Sequence, residues 1–300
     1  MTEKEFYEAQ KKAYAPMVEL FNSVPIGERI PSKWEAPEGY TLEKFEVEGI
    51  PVERLTPNHK TSDCVIFHAH GGGYVLGYTD AYREVGVAYS QMAGGAEVIS
   101  FDYRLAPQYT YPAILEDAVI IYKWLLEQGY DNDNIVMVGD SAGGNLVLVT
   151  SLYLKDQQMP LPKGVIAISP WCKLAAGAES FERNLYKDCI LGAEGITIGD
   201  EVFKASYVGD GDYKCPYISP VYGDFRGFPN LLIQGGSYEM LVDDMVTVIN
   251  KAKEAGVDVS ATIYEGMSHD FQLLLTDLEE SKAAWAEMGE FIKDLFEGQQ

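Results

Sequence analysis

The chain has 300 residues, of which 46 are acidic and 23 basic, so its formal net charge at neutral pH is −23. This length allows one large α/β domain or two small ones, and the acidic charge disfavours nucleic acids because they would be repelled. The four cysteines, Cys64, Cys172, Cys189 and Cys215, are widely spaced without a CxxC pair. This pattern favours reduced thiols over a disulfide framework or a zinc site.

Residues 1 to about 40 form the first distinct segment. It opens with "MTEKEFYEAQKKAYAPMVELF", which is charged and lacks the apolar stretch of a signal peptide. No later segment approaches the roughly 18 uncharged apolar residues of a membrane span. We therefore expect a cytoplasmic protein without a membrane partner. Aromatic residues at helical spacing, including Phe6, Tyr14 and Phe21, predict a helix in this segment.

The middle of the chain alternates between strand and helix patterns. The stretch "EKFEVEGIPVERLTP" predicts two antiparallel strands with a tight turn at Gly49, Ile50 and Pro51. Apolar β-rich runs follow at "CVIFHA", "AEVISF", "NIVMVG", "GVIAIS", "NLLIQG" and "VSATIY", with helical patterns at about Pro112 to Glu127, Gly143 to Lys155, Leu241 to Glu254 and Leu278 to Phe296. Strands apolar on both faces that alternate with helices predict an α/β fold with a mainly parallel sheet flanked by helices.

The domain organisation follows from what interrupts this alternation. No repeat, low-complexity tract or Gly/Ser linker divides the chain, so we expect a single domain over residues 1–300. The segment from about 174 to 211 does not fit the alternation and carries Phe181, Tyr186, Phe203 and Tyr207 at helical spacing. We expect it to pack with residues 1 to about 40 as a helical cap over the sheet.

The stretch "GDSAGG", Gly139 to Gly144, links the strand "NIVMV" to a helix. This is the G-x-S-x-G pattern in its required context, a strand, a tight turn and a helix. Gly139 and Gly143 are needed because a side chain there would collide with a neighbouring strand or helix, and the turn forces Ser141 into a strained conformation. Ser141 would then be exposed at the carboxyl end of the strand, where open α/β sheets bind ligands. The pattern predicts a serine nucleophile.

A serine nucleophile needs a histidine base and an acid that orients the histidine. His269, in "GMSHDF", is the one histidine that follows Ser141 and lies in a loop before the last helix. The acid should follow the strand "NLLIQG", where Glu239, Asp243 and Asp244 compete. Glu239 comes directly after the strand, whereas the two aspartates begin a helix, where acidic side chains commonly serve the helix dipole. We favour Glu239 and keep Asp243 as the alternative.

The stretch "HGGGY" follows an early strand. Its glycines leave backbone N–H groups free to face a developing oxyanion, so we expect Gly72 and Gly73, with Ala142, to donate to it. His70 would organise this loop through hydrogen bonds to the backbone. His68 lies on the same strand face, so a metal site of His68 and His70 remains an alternative, although no further histidine or paired carboxylate lies nearby to complete it.

The chain resembles the hormone-sensitive-lipase-like branch of the α/β-hydrolases, which includes bacterial carboxylesterases. The stretches that carry the resemblance are "HGGGYVLG", "DYRLAPQYTYPAILEDA", "VGDSAGGNL", "ISPW", "FPNLLIQGGSYEMLVDD" and "GMSHDF", in the family's order from about Val65 to Phe271. The resemblance implies an α/β-hydrolase fold with Ser141 as nucleophile, His269 as base and Glu239 where the family more often has Asp. It further implies that Asp102 and Arg104 brace the loops beneath the site. His68, Lys173 and Asn230 depart from the family's pattern without removing a catalytic group.

We therefore expect a serine carboxylesterase that needs no cofactor or metal and acts on neutral small-molecule esters with short acyl chains, as the resemblance implies. Candidate pocket residues are the aromatics Tyr74, Tyr78, Phe21, Trp171 and Tyr207. One rival is a non-catalytic small-molecule receptor on the same fold, against which the retention of His269 argues. The other is a metal-dependent hydrolase that uses His68 and His70. The physiological ester, its leaving group and the formation of homo-oligomers stay open.

Overall fold

The computed structural model describes residues 3–175, 178–195 and 206–297. One sheet of eight strands runs through them: β1 (Tyr40–Val47), β2 (Ile50–Pro57), β3 (Val65–Ala69), β4 (Glu97–Phe101), β5 (Ile135–Asp140), β6 (Gly164–Ile168), β7 (Asn230–Gly236) and β8 (Val259–Tyr264). The strand order is β1-β2-β4-β3-β5-β6-β7-β8. The pairs β1–β2 and β2–β4 are antiparallel, and every other pair is parallel. The carboxyl ends of β3 to β8 therefore meet at one edge.

Helices cover both faces of the sheet. In chain order they are α1 (Glu3–Ser23), α2 (Asp80–Met92), α3 (Ala113–Glu127), α4 (Ser141–Asp156), α5 (Glu179–Arg183), α6 (Val242–Glu254), α7 (Phe271–Leu274) and α8 (Glu279–Phe296). Apolar residues of α3, α4 and α6 pack in one core cluster, and those of α2 and α8 pack in another. All residues of β3, β4, β5 and β6 are buried, because the helices cover both faces of these strands.

The predicted α/β architecture is confirmed, and the six apolar runs are the six parallel strands, β3 to β8. The predicted turn at Gly49, Ile50 and Pro51 was wrong, because the loop begins one residue earlier and ends at Gly49. Val47 pairs with Ile50, so the loop consists of Glu48 and Gly49, with φ of 50° and 81°. A two-residue hairpin loop with positive φ at both positions matches the twist of the strands, and Ile50 is freed to bury its side chain in the core.

Two helices at the start of the chain matter for the site. Helix α2 had no counterpart among the predicted helices; it packs Val87 and Tyr89 beneath the sheet. Helix α1 is the helix that the aromatic spacing predicted in the first segment.

Within the expected second cap segment, residues 176–177 and 196–205, including Phe203, lie outside the described residues. No helix in the described ranges is long and apolar enough to cross a bilayer.

Candidate active site

Ser141 lies at the junction of β5 and α4 in a left-handed conformation, with φ of 52°. The two glycines around it are required by close backbone contacts. A Cβ atom at Gly139 would meet the backbone of Gly143, and one at Gly143 would overlap the carbonyl groups of Ala69 and His70. The strained serine and the steric role of both glycines agree with the expectation from the G-x-S-x-G pattern. The turn presents Ser141 at the carboxyl edge of the sheet.

His269 lies between Ser141 and Glu239. Its Nε2 is 2.9 Å from Ser141 Oγ, and its Nδ1 is 2.9 Å from Glu239 Oε2. Burial alone lowers the pKa of His269, but the carboxylates of Asp270 and Glu239 outweigh burial and hold that pKa well above its ordinary value. The three side chains, which come from distant parts of the sequence, are brought into one hydrogen-bonded chain.

The two competing carboxylates have other partners. Asp243 accepts a hydrogen bond from the Ser180 N–H, at 2.8 Å, and forms an ion pair with Arg183 at 2.6 Å. Although burial raises the pKa of Asp243, these contacts outweigh it and lower the pKa. Burial raises the pKa of Asp244 to about 6, partly offset by Lys173. Glu239 is therefore the carboxylate of the three that contacts His269.

The glycines that follow β3 face Ser141 across a cavity. Gly72 and Gly73 line this cavity and adopt φ of 103° and 62°, which only glycine adopts readily. The loop is held by the Gly71 N–H, which donates to Asp140 Oδ1 at 3.1 Å. Ala142 is the second residue of α4, so its N–H belongs to the first turn, where helical N–H groups have no partner within the helix. The positions of these groups are compatible with an oxyanion hole.

His70 and His68 point into the protein beneath this loop. His70 Nδ1 donates to the Gly71 carbonyl at 2.8 Å, and its ring stacks on Tyr103 with centroids 4.1 Å apart. His68 Nδ1 lies 2.9 Å from Ser100 Oγ. Burial lowers the pKa of both histidines to about 3, so both rings are neutral. In the part of the chain that the structure describes, no three His, Cys, Asp or Glu side chains are grouped as metal ligands.

The cavity above Ser141 has a volume of about 320 Å³ and is mainly apolar. Two predicted pocket residues, Phe21 and Trp171, line it. The apolar lining comes from four parts of the chain: Met17, Leu20, Phe21, Val24 and Ile30; Leu76; Trp171, Ile190 and Leu191; and Leu241 and Leu274. Helix α1 therefore contributes directly to the cavity wall.

The other three predicted pocket residues do not line this cavity, and the prediction was wrong for them. Tyr74 and Tyr207 are fully buried and pack on each other, with ring centroids 4.2 Å apart. The Tyr74 hydroxyl donates to Asn145 at 2.6 Å. Tyr78 packs between His70 and Arg83. Aromatic side chains are large enough to stabilise the core, and these three face the core rather than the cavity.

Several site residues were not singled out from the sequence. Asp270 lies with its Oδ2 3.1 Å from His269 Nε2. Ser169 donates to Glu239 Oε1 at 2.7 Å and accepts the Asp270 N–H at 3.2 Å. Ser169 lies in "ISPW" and Asp270 in "GMSHDF", so both belong to stretches already recognised as motifs, which was the available signal.

Helix α1 also contacts the loop that carries His269. Gln10 Nε2 donates to the Gly266 carbonyl at 2.6 Å, and the Tyr14 hydroxyl donates to the His269 carbonyl at 3.3 Å. These contacts join residues more than 250 positions apart, and no local sequence pattern indicates them.

Known proteins share this fold and these motifs. A family model described as the α/β hydrolase fold matches residues 66–273. An esterase from Acinetobacter venetianus is 36% identical over 231 residues, which cover 77% of this chain and 75% of that protein. An acetyl-hydrolase from Streptomyces hygroscopicus is 33% identical over 252 residues, which cover 81% of this chain and 83% of that protein. The crystal structure of an esterase from the bacterial hormone-sensitive lipase family has a TM-score of 0.81 at 31% identity, covering 98% of this chain and 99% of that one.

Fold, motifs and relatives together define an α/β-hydrolase. The chain belongs to this family and, within it, to the esterases of the bacterial hormone-sensitive-lipase type. It is a carboxylic ester hydrolase. The resemblance drawn from the sequence motifs is confirmed.

Proposed function

We propose that the chain is a serine carboxylesterase that hydrolyses esters with short acyl chains through an acyl-enzyme intermediate. The observation that carries the proposal is the chain of contacts from Ser141 Oγ through His269 to Glu239, with 2.9 Å at each step. A base within hydrogen-bond reach of the nucleophile, itself oriented by a carboxylate, is the arrangement that activates a serine hydroxyl.

In the first half-reaction, Ser141 Oγ attacks the ester carbonyl carbon while His269 Nε2 takes the hydroxyl proton. The carbonyl π electrons move onto oxygen, and the N–H groups of Gly72, Gly73 and Ala142 stabilise that charge. The tetrahedral intermediate then collapses, the bond to the alcohol oxygen breaks, and His269 returns its proton to the departing alcohol. The product is an ester of Ser141 with the acyl group.

In the second half-reaction, water takes the place of the alcohol. His269 accepts a proton from water as its oxygen attacks the acyl carbon, and the same N–H groups stabilise the second oxyanion. Collapse breaks the bond to Ser141 Oγ, which recovers its proton from His269. In both halves Glu239 keeps Nδ1 protonated and stabilises the imidazolium, while His70 supports the glycine loop through its bond to the Gly71 carbonyl.

The cavity supports a small, neutral, apolar substrate. Its volume of about 320 Å³ is at the lower end of the range of about 300–1,000 Å³ for ligand pockets. We propose that residues 1 to about 40 and about 174 to 211 cap a single domain, since Phe21 from the first segment and Ile190 and Leu191 from the second line the cavity. A carboxylate on the substrate is disfavoured because the acidic residue Asp270 lines the cavity.

The proposal is tested by Ser141→Ala and by labelling with a serine-directed organophosphate. We expect Ser141→Ala to reduce kcat/KM for acetyl and butyryl aryl esters on the order of 10³-fold or more, with an unchanged circular dichroism spectrum. Mass spectrometry should locate the phosphoryl adduct on Ser141. Ser151→Ala, on the same helix, is the matched control, since its hydroxyl bonds only within the helix and to Met137. Near wild-type activity of Ser141→Ala would overturn the mechanism.

A further inference from the structure

The Nε2 side of His269 has two neighbours rather than one. Ser141 Oγ lies at 2.9 Å and Asp270 Oδ2 at 3.1 Å from the same nitrogen, while Nδ1 on the other side faces Glu239. His269 is 2% exposed and Asp270 is 8% exposed, so water screens this contact only weakly.

The contact between His269 Nε2 and Asp270 Oδ2 is an ion pair only when the ring is protonated. A neutral imidazole that donates its Nδ1 proton to Glu239 has only a lone pair at Nε2, and an ionised carboxylate offers only lone pairs. Two such acceptors would repel each other at 3.1 Å. The contact is therefore favourable when the ring carries protons on both nitrogens, which places one extra proton between Nε2 and the carboxylate of Asp270.

We propose that Asp270 is a positioning residue that acts through His269: it binds the Nε2 side of the ring in the resting enzyme and retains there one proton that must leave before His269 can accept the proton of Ser141. This inference rests on the proposed function, in which His269 is the base. The departing proton goes to solvent, and Nε2 then has its lone pair free for the Ser141 hydroxyl proton.

The backbone holds Asp270 in the position that this role needs. Its N–H donates to Ser169 Oγ at 3.2 Å, and its carbonyl accepts from Leu273 and Leu274 at 3.0 Å each. Its φ is 54°, a left-handed conformation that Asp and Asn tolerate better than most residues. Ser169 also donates to Glu239 Oε1. The Ser169 hydroxyl group therefore contacts both the carboxylate of Glu239 and the backbone of Asp270.

The groups that surround the pair are mainly acidic. Asp140 from β5, Glu239 and Asp188 are buried carboxylates near the ring, and the phenols of Tyr14, Tyr82 and Tyr89 face the same cluster. Burial, with the charge of Asp270 added, raises the pKa of Asp140 to about 8. The nearby Arg83 of α2 is paired with Glu53 and Asp80. The negative charges of these carboxylates favour the protonated, cationic form of the His269 ring.

This proton changes the pH profile of the enzyme. As the pH is lowered, kcat/KM should fall with a midpoint at higher pH than an isolated histidine would give. An unperturbed histidine titrates at about 6.5. Because the retained proton must leave first, we expect the wild-type midpoint to lie above that value. Removing the charge of Asp270 should move the midpoint to lower pH by about one to three units, the usual effect of a neighbouring charge.

The test compares Asp270→Asn with Asp243→Asn by measuring kcat/KM for a butyryl aryl ester from pH 5 to 10. Asn fits the left-handed backbone of residue 270, and its amide can donate to a neutral Nε2. We expect a lower midpoint in Asp270→Asn alone, since Asp243 is paired with Arg183. A midpoint equal to that of the wild type would overturn the proposal, because a purely structural role for Asp270 would change rates without moving it.

A second measurement on the wild-type protein does not depend on the variant. The rate of inactivation by a serine-directed organophosphate reports the free-enzyme state of His269 when followed against pH. A midpoint at or below about 6.5 overturns the proposal. A midpoint above it supports a proton that Asp270 and Glu239 retain together, and the shift in Asp270→Asn gives the part that belongs to Asp270. Absence of any adduct on Ser141 at every pH would instead contradict the proposed esterase mechanism, so the two failures can be told apart.

Discussion

Glu239 and His269 contact each other through Oε2 and Nδ1 at 2.9 Å, and the second oxygen of Glu239 is held by the Gly236 N–H and the Ser169 hydroxyl. Burial raises the pKa of Glu239, and its contact with His269 opposes that shift. A carboxylate fixed on one oxygen by two donors can direct the other at the imidazole ring. This relationship gives the proposed triad acid a defined orientation.

Glu239→Gln should therefore lower kcat by about 10³- to 10⁴-fold, because an amide no longer selects the tautomer with its proton on Nδ1. Asp243→Asn should cost less than about threefold, since this carboxylate serves Arg183 and Ser180. The measurement is kcat with a butyryl aryl ester for both purified variants. The reverse ranking would assign the role of the acid to Asp243.

His269 and His70 should respond very differently to the same substitution. His269→Asn should lose on the order of 10³-fold or more in kcat/KM, since no base remains. His70→Asn should lose about tenfold, because an Asn amide can partly replace the bond to the Gly71 carbonyl. Equal losses of kcat/KM in the two variants would show that His70 takes part in the chemistry.

Chelation tests the alternative in which His68 and His70 hold a metal. We expect no loss of ester turnover after dialysis against a chelator, because both Nδ1 atoms bond to protein groups and both rings lie fully buried. Inactivation by the chelator that zinc reverses would favour a metal-dependent hydrolase. A receptor without catalysis would show neither turnover nor an organophosphate adduct.

Phe21 of α1 should limit the length of the acyl chain, because its side chain lines the cavity. Phe21→Ala should raise the ratio of kcat/KM for octanoyl over acetyl aryl esters by about tenfold or more. The matched control is Val18→Ala on the same helix, since Val18 faces a separate surface groove. If both variants kept the wild-type chain-length profile, α1 would not set selectivity.

Asp188 joins the second proposed cap segment to the loop that carries Glu239. Its Oδ1 accepts the N–H groups of Ile190 and Leu191 at 3.0 Å each, and its Oδ2 accepts the Met240 N–H at 2.9 Å. Asp188→Asn leaves one of these donors unpaired, so we expect the free energy of unfolding to fall by about 1.5–3 kcal/mol. KM for butyryl esters should rise, because Ile190 and Leu191 line the cavity.

Urea unfolding and steady-state kinetics measure both effects. Asp212→Asn is a suitable control, since Asp212 also accepts a backbone N–H, from Lys214, but lies in an exposed turn. If the KM of Asp188→Asn equals that of Asp212→Asn, Asp188 does not contribute to substrate binding.

The local parts of this protein could be predicted from the sequence. Strands such as β5 and β6 are continuous apolar runs and helices such as α6 have a 3.6-residue period, because these patterns depend on near neighbours along the chain. The elbow at Ser141 could also be recognised, since G-x-S-x-G between a strand and a helix is a local pattern, although the carbonyl groups that exclude a side chain at Gly143 belong to Ala69 and His70. His269 could be predicted as the base because it is the one histidine that follows Ser141 in the chain.

Only the tertiary structure decided which side chains face the cavity and which contact His269. Tyr74, Tyr78 and Tyr207 carry the same kind of side chain as Phe21, yet they point into the core because of how distant segments pack. Asp270 lies beside His269 in the sequence, but its contact with Nε2 depends on a left-handed backbone held by Ser169, about one hundred residues away. Such orientations come from long-range packing, which no local pattern of residues encodes.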